Sequence, residues 1–228
     1  MPGGWVMSMM WMPMSGQSNL AAAGMFIAMW TAMMIAMMLP SAMPMILLYR
    51  RATAFHGAKH PGWQAGVMIS GYFSVWAAFG AVTFILGSLL ARAEMFSPAL
   101  SRAIPIVAGI SLIICGIYQW TPWKASCLKH CQDPLSLVAG HLHGGWRGSF
   151  VLGLHHGATC SACCWSLMVI QITLGMMNLL VMTGIALVIA VEKMVPRGAL
   201  VARIVGTLSA LAGVGFLLRA IWMRGFTT

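Results

Sequence analysis

A chain of 228 residues in which 60% are hydrophobic and only 7% charged, with a mean hydropathy of +0.87, lies outside the balance of soluble domains and excludes a soluble globular protein. Three acids against thirteen Lys and Arg give a formal charge of +10, which in a soluble protein would point to nucleic acid. Here the bases sit between apolar runs, so they read as topology signals and contacts to the lipid bilayer, and no nucleic-acid partner is expected.

The expected fold class is all-α: a polytopic integral membrane helical bundle with about six transmembrane helices and short loops, forming one domain over residues 1–228. Residues 1–19 read as a Met-rich interfacial segment, in which MSMMWMPM carries Met7, Met9, Met10, Met12 and Met14, with Trp5 and Trp11 as belt residues. No Lys or Arg precedes Arg50, so the first apolar run lacks the basic flank of a cleavable signal peptide and is expected to be a true span. Six runs approach the ~20 apolar residues a crossing needs, at approximately 20–48, 64–90, 103–121, 149–173, 178–195 and 199–222. Period-two alternation is absent, which disfavours a β-barrel.

The first run repeats methionine every four residues, at Met25, Met29, Met33 and Met37, a stripe that drifts by about 40° per step. It also carries Pro40 and Pro44 in MLPSAMPM, where a kink or early termination is expected, because proline removes a backbone donor and crowds the preceding turn. The connection 122–148 holds a Cys/His cluster, with Cys127, His130 and Cys131 followed by His141 and His143. Its C-x3-C and H-x-H spacings fall near zinc-site patterns without matching a standard finger. Only GMMN separates the fourth and fifth runs, which predicts a tight helical hairpin.

Loops one-two, three-four and five-six carry Arg50, Arg51, Lys59, Lys124, Lys129, Arg147, Lys193, Arg197 and Arg203, against Arg92, Arg102, Arg219 and Arg224 on the other side. Nine bases against four place the first group in the cytoplasm and both termini outside, which for a bacterial inner membrane means the periplasm.

The fourth run contains HHGATCSACCW, two imidazoles and three thiols among apolar neighbours. On a helix, Cys160, Cys163 and Cys164 lie at about 40°, −20° and 80° from His156, so these four share one face, which Gln171 extends, while His155 points elsewhere. His156 and Cys163 are about 10 Å apart along the axis, too far to hold one ion together on an ideal helix, so other helices must supply ligands. Gly153 and Gly157 bracket the His pair at GxxxG spacing, which lets a second helix approach closely. Intramembrane imidazoles usually face a bundle interior. Thiol, imidazole and thioether are donors suited to Cu(I), with zinc as the nearest variant. Cys160 and Cys163 also form a CxxC, which keeps thiol redox chemistry open.

The remaining features read more plainly. Glu192 beside Lys193 is expected to be an interface pair, His56 and His60 to be solvated, and Cys115 to be packing. Walker, GxSxG, HExxH and Rossmann signatures are absent from the sequence, so ATP-driven transport and standard hydrolase chemistry have no residues to carry them.

The segments WTAMMIAMMLPSAMPM at 30–45 and GLHHGATCSACCWSLM at 153–168 resemble a bacterial family of predicted metal-binding integral membrane proteins, across about residues 20 to 195. That resemblance implies a multi-span inner-membrane protein that binds metal. Its motif falls on Met33, Met34, Met37, Met38, Pro40, Pro44, His155, His156, Cys160, Cys163 and Cys164. The expected function is Cu(I) handling, either transport across the membrane or delivery to a membrane cuproenzyme. The candidate ligands are His155, His156, Cys160, Cys163, Cys164, Met33, Met37, Cys127, His130 and Cys131. The alternatives are a membrane thiol-disulfide oxidoreductase and an accessory subunit packed against partners in a larger respiratory or oxygenase complex.

Overall fold

The computed structural model describes residues 18–139, 145–176 and 178–225, which form helices without strands. The Met-rich opening and the pair His141 and His143 lie outside these residues. In chain order the helices are α1 (Asn19–Phe55), α2 (Pro61–Phe96), α3 (Pro98–Trp120), α4 (Pro122–Gln132), α5 (Pro134–Ala139), α6 (Gly145–Gly175), α7 (Leu179–Met194) and α8 (Gly198–Gly225). Four of them begin with proline, whose missing N–H falls where a helix has no internal acceptor for it. Ser97 caps α3 by accepting from Leu100 N at 3.5 Å, and Thr121 caps α4 by accepting from Lys124 N at 3.3 Å.

Five helices, α1, α2, α3, α6 and α8, are long and apolar enough to cross a membrane. The remaining expected span appears as α7, which has only 16 residues and so reaches about 24 Å, short of a hydrocarbon core of ~30 Å. The connection 122–148, expected as a loop, carries two short helices, of which α4 leans on α6 and α7.

Early termination of α1 does not occur: the helix runs through Pro40 and Pro44 to Phe55. Phe26, Trp30, Met34, Met38, Met45 and Tyr49, at spacings of four or seven residues along one side, are all buried, and that packing outweighs the ~3 kcal/mol a mid-helix proline costs. The methionine stripe starts one residue, about 100°, to the side of this face and drifts onto it by about 40° per step. Met25 is exposed, Met29 and Met33 are half-buried and Met37 is buried, as a spacing of four on a 3.6-residue helix requires.

Close helix contacts rest on small residues. A Cβ on Gly153 of α6 would strike the Met68 carbonyl of α2, and one on Gly157 would lie 2.9 Å from the Tyr72 carbonyl. The GxxxG expectation is therefore met, with α2 as the second helix. The same logic joins α3 to α8. A Cβ on Gly109 would sit 2.9 Å from the Gly213 carbonyl and one on Gly206 2.7 Å from the Gly116 carbonyl, while Ser209 Oγ donates to Leu112 O at 2.8 Å.

Candidate functional site

The approach of α2 to α6 sets the first contact of the site. With Gly153 and Gly157 admitting the α2 backbone, Tyr72 reaches across α6 and its hydroxyl lies 2.9 Å from Cys160 Sγ. The His156 ring, one turn earlier on α6, packs against the Tyr72 ring with centroids 5.4 Å apart. His156 is buried and His155 is exposed, as the helical face predicts.

The three thiols of α6, Cys160, Cys163 and Cys164, are fully buried. Cys164 lies beside both Cys160, one turn earlier, and Cys163, and Cys163 neighbours Cys131 of α4. Four sulfurs thus form a row, Cys160–Cys164–Cys163–Cys131, running from the interior of α6 to the half-buried Cys131 on a helix outside the spans. The contacts are pairwise: among the described residues no three His, Cys, Asp or Glu side chains converge closely enough to hold one ion together. Cys127 is half-buried beside the core, and His130 is exposed with Ser126, Lys129 and Asp133 around an open depression of about 390 Å³ on α4. Met37 is buried in the core, and the Met33 thioether accepts from Gln171 Nε2 at 3.5 Å, which places these methionines on the α1 side of the bundle.

Two lysines complete the site. Lys193, at the end of α7, donates to Cys160 Sγ at 2.7 Å. Lys124 of α4 is 1% exposed, donates to the Cys163 carbonyl at 2.8 Å and pairs with Glu192 Oε2 at 2.7 Å. Burial works against the charge of Lys124, yet the Cys163 and Cys164 sulfurs and the Glu192 carboxylate more than offset it and hold the ammonium above the usual lysine range. Gln132 fixes the same corner by donating to Glu192 O at 2.9 Å and Val195 O at 3.1 Å. A Cβ on Gly198 would collide with the Glu192 carbonyl, so only glycine lets α8 start this close to α7.

The expectation that Glu192 and Lys193 are an interface pair is thereby corrected. Glu192 is 1% exposed and pairs with Lys124, while Lys193 turns to a thiol. Adjacent residues on a helix diverge by about 100°, so they cannot face one another. Lys124 and Lys193 also leave the set of headgroup bases, which reduces the topology count from nine to seven against four. The signal available for them was the scarcity of acids: a lone Glu at an apolar helix end needs a cation, but sequence does not say which.

The donors gathered here are soft ones, thiols with an imidazole one turn away, and suit a univalent soft metal ion. A family model described as PpoB2, copper chaperone, matches residues 27–216. The chain belongs to this copper chaperone family. The match takes in every element that builds the site, from Met33 of α1 to the start of α8. Membership in the PpoB2 family agrees with the metal-related family that the two motifs resemble, and associates the chain with copper. Comparison with curated proteins and with solved structures gives no match.

Proposed function

We propose that this chain binds Cu(I) as cargo within a membrane helical bundle and delivers it to a membrane cuproenzyme, with Cys160, Cys163, Cys164 and Cys131 as the carrying ligands and His156 flanking the row. The observation that carries this reading is the succession of neighbouring thiols from buried Cys160 through Cys164 and Cys163 to half-buried Cys131. Cu(I) is satisfied by two soft ligands and exchanges by taking up a new thiolate before losing an old one, so overlapping pairs of thiols suit its movement. Pairwise neighbours without a three-donor cage among the described residues favour transfer over storage, and the family description as a chaperone favours delivery over transport. The chain sits, in this reading, in the bacterial inner membrane. Met33, Met37 and the methionines of the opening segment supply weaker thioether ligands on the approach.

Copper content of detergent-purified protein tests the assignment, comparing wild type with a Cys160→Ala, Cys163→Ala, Cys164→Ala variant after loading with Cu(I). The variant is expected to lose most of its copper; equal content in both rejects the thiol row as the site. A second reading, thiol-disulfide exchange, is favoured by the contact of Cys163 with Cys131, two free thiols on different helices. Thiols that stay reduced through turnover with an oxidant and a dithiol would count against it.

A further inference from the structure

The charges around the thiol row do not cancel. Lys124 and Lys193 bring two positive charges, and Glu192 brings one negative charge that Lys124 occupies at 2.7 Å. No carboxylate among the described residues makes an ion pair with Lys193. Its ammonium instead lies 2.7 Å from Cys160 Sγ, which also has the Tyr72 hydroxyl at 2.9 Å. With all thiols neutral, this corner, in which Lys124, Glu192 and the thiols are buried and Lys193 is half-buried, therefore carries a formal charge of +1, which is unfavourable in low-dielectric surroundings.

We propose that Lys193 is a positioning residue that makes the site selective for a univalent soft cation: it balances the single negative charge of such an ion held by the Cys160 and Cys164 thiolates. This rests on the copper reading above and adds the valence of the cargo and the device that selects it. Loading converts two thiols and Cu(I) into a bis-thiolate complex of charge −1; two S–H bonds break, two metal–sulfur bonds form, two protons leave to water and no electron moves. The complex and Lys193 then sum to zero. Zinc bound by the same two thiolates would form a neutral complex and leave the Lys193 charge uncompensated. A third thiolate would restore balance for zinc, but no third donor converges on the pair among the described residues. The two donors on Cys160 Sγ suit this role, since an ammonium N–H and a phenolic O–H each stabilise a sulfur carrying negative charge.

The test is a pair of competition titrations of the purified full-length protein in detergent, one with Cu(I) against a chromogenic chelator and one with Zn(II) against a fluorescent one. For Lys193→Met the preference for Cu(I) over Zn(II) is expected to fall by about tenfold or more, and for Lys193→Arg, which keeps the charge, to stay within about threefold of wild type. An unchanged preference in Lys193→Met overturns the proposal, and so does an equal loss in Lys193→Arg. Should Lys193→Met not fold, Lys193→Gln serves instead; it also removes the charge, so its preference is expected to fall as in Lys193→Met, and an unchanged preference overturns the proposal. Failure of the underlying copper reading is distinguishable, because the Cys160→Ala, Cys163→Ala, Cys164→Ala variant would then bind Cu(I) as tightly as wild type.

Discussion

Lys124 of α4 and Glu192 of α7 form an ion pair at 2.7 Å although neither helix follows the other in the chain, and both side chains are 1% exposed. The pair clamps the short helix α4 onto the end of α7 and sets the distance from Cys131 to Cys163.

Removing one partner leaves the other charged, buried and unpaired. Lys124→Met is therefore expected to destabilise the protein by about 3–5 kcal/mol. The double variant Lys124→Met, Glu192→Leu is expected to recover most of that loss, because no lone charge remains. Thermal unfolding in detergent with a thiol-reactive dye that reports exposure of the buried cysteines checks both. A double variant no more stable than the single one would show that the pair does more than compensate charge.

The α2–α6 contact makes a second prediction. Gly153→Ala drives a methyl group into the Met68 carbonyl, an overpacking expected to cost about 1–3 kcal/mol and to draw Tyr72 away from Cys160. Gly66→Ala, on the same helix as Tyr72 but with open space at the new methyl, is the control and is expected to be neutral or to stabilise by up to about 1 kcal/mol. Unfolding midpoints of the two variants, measured side by side, decide the matter.

Tyr72→Phe keeps the ring against His156 and removes only the hydroxyl near Cys160. Loss of one hydrogen bond, about 0.5–1.5 kcal/mol, is expected to weaken Cu(I) binding by a factor of about two to ten with little change in stability. Competition with a Cu(I) chelator measures it, and an unchanged affinity would remove Tyr72 from the site.

Mild oxidation examines the row itself. Diamide treatment of metal-free protein is expected to join Cys131 to Cys163, linking α4 to α6, whereas Cys127, one turn earlier on α4, should stay reduced. Peptide mass mapping without reductant identifies the bond. Prior loading with Cu(I) should protect both thiols, and cross-linking that Cu(I) does not slow would separate the row from copper.

Much of this architecture follows from local rules. Runs of apolar residues longer than a soluble helix needs can satisfy their backbone in lipid only as helices, so the all-α fold was legible from hydropathy. The face shared by His156, Cys160, Cys163 and Cys164 follows from 100° per residue alone, as does the outward turn of His155, because both are properties of one helix. The spacing of Gly153 and Gly157 announced a close neighbour for the same reason.

Which neighbour arrives is another matter. That Tyr72 meets Cys160, that Lys124 finds Glu192 and that Lys193 turns to a sulfur depend on how α2, α4 and α7 pack around α6, and no local pattern carries that information. The sequence by itself determined the donors and the face they share. Tertiary packing decided the charges beside them, because an ion pair or a sulfur contact is selected by the geometry of three separate helices and by the cost of leaving any one charge alone in an apolar interior.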